Sequence, residues 1–209
     1  MIINKTKEAK MKNILFIILS TFLFTSCSDN KLQKLSQNDT ILCFGDSLTQ
    51  GYKLPASESY PAVLERLTKR TVINAGISGE TTSGGIKRFK RVIEKHQPKL
   101  LVLFHGGNDM LRNINQEVTT QNLEQMINIA KAKNIDIVLL SMPRKSLFGN
   151  PRKLYSLIAK KHDLIVDDSA VDLLYNSEFK LDRIHLNAKG YKALAQNIYE
   201  VLQEYGALE

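Results

Sequence analysis

The stretch LLVLFHGGND, residues 100–109, runs through five apolar residues and then breaks at a pair of glycines. A continuous apolar run this short, bounded by glycine and with no polar alternation, reads as a strand covered on both faces. Such strands belong to parallel sheets flanked by helices. Similar short runs lie on either side, at 41–44, 71–75, 135–140 and 164–166. Between them the apolar spacing changes to that of helices. One helix starts near Ser59, with Pro61 in its first turn and Val63, Leu64 and Leu67 on one face. A second covers 82–96 and stops before Pro98. Leu123, Met126, Ile127 and Ala130 mark a third, 151–162 a fourth, and 188–204 a fifth with Asn187 as its N-cap. Strand and helix in alternation give an α/β fold with a parallel sheet, whose ligands sit outside the carboxyl ends of the strands.

The chain has 209 residues, of which 43% are hydrophobic, so it holds one domain with a real core. Two cysteines make no disulfide framework, and with no C-x-x-C pair a structural zinc cluster is excluded. The net charge of +8 raises the question of a nucleic-acid partner. The basic residues are dispersed, Trp is absent and no nucleic-acid module is present, so no such partner is expected.

Part of the charge belongs to the first residues. Lys5, Lys7, Lys10 and Lys12 stand against Glu8, and an apolar run from Ile14 to Phe24 follows. That run is shorter than the roughly 20 residues of a membrane span and reads as a secretory signal over 1–26. Met11 offers a second start for it. Phe24-Thr25-Ser26-Cys27 resembles a bacterial lipobox, which implies lipid attachment at Cys27. The chain is then expected in the cell envelope as a periplasm-facing lipoprotein. Ser28 in place of an inner-membrane aspartate favours the outer membrane. Residues 27–39 are polar and read as a tether before a domain at 40–209.

The strand ends carry the chemistry-bearing residues. Strand one ends in Gly45-Asp46-Ser47-Leu48, strand two leads to Ile77-Ser78-Gly79-Glu80, and strand three to His105-Gly106-Gly107-Asn108-Asp109. Ser47 reads as a nucleophile or as a helix N-cap. A G-x-S-x-G elbow is absent, because Thr49 stands at its last position. A serine nucleophile needs a base. His96 and His162 lie among charged residues and read as surface, whereas His185 follows Asp182 by three positions. One short segment can thus supply a base and the carboxylate that orients it. Asn108 and the backbone N–H groups of Gly79 and Ser47 are candidate oxyanion donors, although Asn and Gly are also ordinary turn residues. Asp46 is expected to brace its loop, and Cys43 to be a buried apolar residue.

Together these segments resemble the SGNH (GDSL) hydrolase superfamily. Its blocks appear in order as FGDSLTQGY at 44–52, NAGISGETT at 74–82, GGND at 106–109 and DRIHLN at 182–187. GYKLPASESYPAVL and KHQPKLLVLFHGGNDMLR resemble the bacterial thioesterase I / lysophospholipase / arylesterase subgroup. The resemblance implies a flavodoxin-like three-layer α/β/α sandwich with a five-stranded parallel sheet. It implies a serine esterase acting on small-molecule acyl esters or thioesters, lysophospholipids among them, with no cofactor and no metal. Ser47, His185 and Asp182 take the catalytic roles, and Ser47, Gly79 and Asn108 the oxyanion hole. Residues 110–116 match a segment that closes over substrate in the subgroup. Met110, Leu111 and Ile114 there are candidates to contact the acyl chain or to pack in the core. His105 stands where relatives often carry an apolar residue, and reads as a buried histidine or as part of the acyl pocket. Arg144, Lys145, Arg152 and Lys153, around Phe148 and Gly149, are candidates for phospholipid head groups. An O-acetyl esterase of envelope glycan and a non-catalytic binding lipoprotein are the alternatives.

Overall fold

The structure, a computed structural model, describes residues 31–142 and 151–209. The segment 1–26, Cys27 and most of the basic loop around Phe148 lie outside the described residues. Five strands, β1 (Ile41–Gly45), β2 (Val72–Gly76), β3 (Leu100–Phe104), β4 (Asp136–Leu140) and β5 (Ile165–Asp167), form a sheet in the order β2-β1-β3-β4-β5. Every neighbouring pair is parallel. The helices are α1 (Ser47–Gln50), α2 (Tyr60–Thr68), α3 (Thr82–His96), α4 (Gly107–Leu111), α5 (Gln116–Lys131), α6 (Pro151–His162), α7 (Ser169–Tyr175) and α8 (Ala188–Glu204). α2 and α8 pack together on one face with α7, and α3, α5 and α6 cover the other. The result is the expected three-layer α/β/α sandwich.

β1 and β3 are buried along their whole length, which is why both read as unbroken apolar runs. The chain leaves β1 for β2 on one side and then crosses to β3 on the other. Their following loops therefore diverge and open a crevice between them, where this architecture places its ligands. Gly45 ends β1 where space is shortest. A Cβ there would lie 2.0 Å from the Phe104 carbonyl oxygen and 2.3 Å from the Thr49 hydroxyl. Glycine lets the nucleophile loop turn directly against β3.

The predicted strands shift by a residue at some ends. β2 spans Val72–Gly76 rather than 71–75, and β5 spans Ile165–Asp167 rather than 164–166. Leu123, Met126, Ile127 and Ala130 are all buried on α5, as their spacing required. Asn187 caps α8, its side chain accepting from the Gly190 N–H. Cys43 is buried in β1 and unpaired. Burial pushes its thiol up to about 12, against a smaller opposing effect of the Tyr60 hydroxyl.

The polar tether expected over 27–39 is corrected by the structure from Lys31 onward. Leu32 and Leu35 belong to the buried core. Their N–H groups donate to the carbonyls of Tyr205 (2.8 Å) and Ala207 (2.9 Å). Arg70 donates to the carbonyls of Leu35 and Ser36, and Asp136 accepts from the Gln33 N–H. Burying each leucine contributes about 1.5–3 kcal/mol. Two leucines in a run of Lys, Gln, Ser and Asn carry no periodic signal, so sequence alone undervalued this strap.

Candidate active site

Three of the predicted side chains meet at the carboxyl end of the sheet. Ser47 is the first residue of α1, directly after β1. His185 Nε2 lies 3.0 Å from Ser47 Oγ, and His185 Nδ1 lies 2.9 Å from Asp182 Oδ2. With Nδ1–H donating to the carboxylate, the Nε2 lone pair faces the serine hydroxyl.

The loop holding His185 is closed on itself. Lys180 and Leu186 form an antiparallel bridge, and the Leu181 N–H donates to the His185 carbonyl at 2.9 Å. Asp182 Oδ1 accepts the N–H groups of Ile184 and His185, both at 2.9 Å. Partial burial pushes the Asp182 carboxyl upward, but these bonds and the His185 ring outweigh it and hold the group below its usual range. The carboxylate is thus kept charged where an imidazolium would form. The Tyr52 ring lies against the imidazole, with centroids 4.4 Å apart and planes inclined by 32°. Tyr52 was part of the quoted FGDSLTQGY block but had been given no role, because a tyrosine's partner across 133 residues leaves no local signal.

Asp46 is buried and caps α1, its carboxylate accepting the N–H groups of Leu48 and Gly107. Burial raises its carboxyl, and the histidines and backbone donors offset only part of that. It ties the loop after β1 to the loop after β3.

Of the candidate oxyanion donors, Asn108 shares the cleft lining with Ser47, and Gly79 lies in the loop after β2. Among the described residues, neither the Ser47 N–H nor the Gly79 N–H has an acceptor. Gly79 has φ +75°, the left-handed turn that glycine adopts without strain. Asn108 gives one amide hydrogen to the Glu80 carbonyl at 3.0 Å, which leaves the other available.

Ser47 and Asn108, though not Gly79, line a cleft of about 760 Å³. Ser47, Asn108 and Asp182 lie on its polar side, and Leu48, Leu111, Met142, Leu174 and Ile184 form apolar walls. Asp46, Gly107, Tyr175, Lys180 and Arg183 complete the lining. Of the four side chains considered for the acyl pocket, the cleft lining includes Leu111 alone. His105 is fully buried and faces Gly85 of α3, because its place after β3 turns it away from the crevice. Met110 packs against the core, and Ile114 is half-buried outside the cleft lining. His162, read as surface, is half-buried with its Nε2 3.6 Å from Glu124. Leu174, Tyr175 and Met142 gave no sequence signal, since they sit in segments that carry no motif. Among the described residues no group of three or more His, Cys, Asp or Glu side chains could hold a metal ion.

The sequence matches the GDSL-like lipase/acylhydrolase family over residues 43–193. Thioesterase 1/protease 1/lysophospholipase L1 of Escherichia coli (strain K12) is 32% identical over 157 residues, covering 72% of this chain and 70% of that protein. The arylesterase of Vibrio mimicus is 36% identical over 110 residues, covering 50% of this chain and 55% of its own. The crystal structure of TesA superposes with a TM-score of 0.73 at 26% identity, over 80% of this chain and 99% of that one. The family match takes in the Ser47 loop, the Asn108 loop and the Asp182–His185 loop alike, and the chain belongs to the GDSL-like lipase/acylhydrolase family.

Proposed function

We propose that the chain is a serine esterase that cleaves carboxylic esters through an acyl-enzyme on Ser47. The observation that carries this reading is the hydrogen-bonded line Ser47–His185–Asp182, at 3.0 and 2.9 Å, beside an apolar cleft. His185, oriented by Asp182, takes the proton of the Ser47 hydroxyl as Oγ attacks the acyl carbonyl. The N–H groups of Ser47 and Gly79 and the free amide hydrogen of Asn108 hold the oxyanion. His185 then protonates the leaving alcohol, and water attacks the acyl-enzyme with the same histidine as base. Leu48, Leu111, Met142, Leu174 and Ile184 give the acyl chain an apolar wall, which favours chains longer than acetyl. Acyl thioesters and lysophospholipids are the further substrates to test, since a relative's name includes both activities.

A lipid anchor at Cys27, with the domain facing the periplasm, is part of the same reading and rests on the sequence at 12–27. Cys27→Ser is expected to release the protein from the membrane fraction.

A p-nitrophenyl ester series from acetate to dodecanoate, with fluorophosphonate labelling, tests the reaction. Labelling at Ser47, a dead Ser47→Ala and a rise in kcat/KM beyond acetate are expected. Full turnover by Ser47→Ala overturns the mechanism, and a maximum at acetate moves the assignment to an O-acetyl esterase.

A further inference from the structure

Glu80 takes no part in the line from Ser47 to Asp182, yet several elements converge on its carboxylate. Arg88 donates Nη2 to Oε2 at 2.6 Å and Nε to Oε1 at 2.8 Å. His105 Nε2 lies 3.3 Å from the same Oε2. The Arg88 and Glu80 side chains are only 13% and 11% exposed. Arg88 also donates to the Ala75 carbonyl at 2.9 Å, and its guanidinium lies 4.0 Å from the centroid of the Phe44 ring. Glu80 is therefore fixed to β1 through Arg88 on Phe44, to β2 through Arg88 on Ala75, and to the first residue after β3 through His105. Burial pushes its carboxyl upward, but the bonds from His105 and Arg88 outweigh this and keep it ionised.

The backbone of Glu80 faces the site. Its carbonyl receives one amide hydrogen of Asn108, and the preceding residue is Gly79. A second tie runs beside the first, since Asp109 accepts the N–H of Thr82 at 2.8 Å and its hydroxyl at 2.5 Å. The loops after β2 and β3 are thus laced together at residues 80–82 and 108–109.

We propose that Glu80 is a positioning residue for the oxyanion donors. Held by Arg88 and His105, it sets the turn that carries the Gly79 N–H, and its carbonyl orients the Asn108 amide so that the free hydrogen meets the developing charge. An oxyanion donor acts only when aimed in advance, and a displacement near 1 Å can cost on the order of 10²-fold in rate. The inference rests on the proposed role of Gly79 and Asn108 in ester hydrolysis.

A double-mutant cycle tests it, with Glu80→Gln, Asn108→Ala and the pair measured in the full chain on p-nitrophenyl butyrate. Glu80→Gln keeps the shape and removes the charge that Arg88 and His105 grip. It is expected to lower kcat about tenfold or more with KM changed by less than about twofold. If it acts through Asn108, most of that loss disappears on the Asn108→Ala background, where only about threefold should remain. A kcat within about twofold of the parent, or the same loss on both backgrounds, overturns the proposal and marks a structural role. Should Glu80→Gln give no cooperative melt, Arg88→Lys enters the same cycle, because an ammonium keeps the charge but not the fork. Ser47→Ala, run alongside, separates the two levels. Turnover by Ser47→Ala refutes the esterase mechanism, whereas a dead Ser47→Ala with an unaffected Glu80→Gln refutes only the role of Glu80.

Discussion

Replacing Asp182 with Asn probes the site with little change of shape. In the structure Asp182 Oδ1 accepts two backbone N–H groups, from Ile184 and His185, while the carboxylate also faces His185 Nδ1. An asparagine can keep both backbone bonds through its carbonyl oxygen. Its amide nitrogen then faces Nδ1 and presents a donor where an acceptor stood. That donor opposes a hydrogen on Nδ1, which keeps only the oxygen 3.0 Å away, and in the tautomer thus favoured, with the hydrogen on Nε2, the atom 3.0 Å from Ser47 Oγ can no longer accept the hydroxyl proton. The imidazolium formed on attack also loses its counter-charge. A wrong tautomer in a triad of this geometry costs roughly 10⁴-fold in kcat, or about 5 kcal/mol. Because the loop bonds survive, the melting temperature should change by no more than a few degrees. The assay is turnover of p-nitrophenyl butyrate, with fluorophosphonate labelling and a thermal melt on the same preparation. A folded Asp182→Asn enzyme retaining more than about a tenth of parental kcat refutes the reasoning, because His185 would then be acting without its orienting carboxylate.

Tyr52→Ala removes the ring stacked on His185, and a pair of this kind is worth about 0.5–1.5 kcal/mol, so kcat should fall about three- to tenfold while Tyr52→Phe stays near the parent. Leu35→Ala should lower unfolding stability by about 2–4 kcal/mol in denaturant titration with activity unchanged, since the strap lies away from the cleft. The Glu80 carboxyl is held below its ordinary value, so its ion pair stabilises the fold fully above about pH 4.3 and loses that effect as the pH falls through the lower folded value. Thermal melts across pH should therefore show the gap between parent and Glu80→Gln narrowing below about pH 4.

The sheet was legible because β1 and β3 are covered on both faces and leave unbroken apolar runs. The long helices α3, α5 and α8 were legible through capping, punctuation or apolar spacing. α1, α4 and α7 are four to seven residues long, too short for a helical period to emerge. Ser47, Asp182 and His185 stood out as a serine at a strand end and an Asp-His pair before a helix. That they meet is a property of the topology, which brings together residues 138 positions apart. The cleft walls were illegible for the same reason, since Leu174 and Met142 become neighbours of Leu48 only once the layers pack. His105 shows the converse. Its position before the GGND block left a buried histidine and a pocket residue both open, because the side a residue faces after a strand depends on phase, and the phase turned it into the α3/α5 layer as a buried residue.

The strap at residues 31–36 also gives the molecule a polarity. It is fastened to Tyr205, Ala207, Arg70 and Asp136, and Asp136 begins β4, so the strap sits at the amino end of the sheet. The cleft opens at the other end, one strand length away, which for five residues is about 17 Å. Only three residues lie between Cys27 and Lys31, and the four chain steps reach at most about 14 Å. If Cys27 carries the proposed lipid, so short a leash would hold the domain with its back to the membrane and its mouth turned outward. It would meet molecules arriving from the facing space before those lying in the layer that moors it.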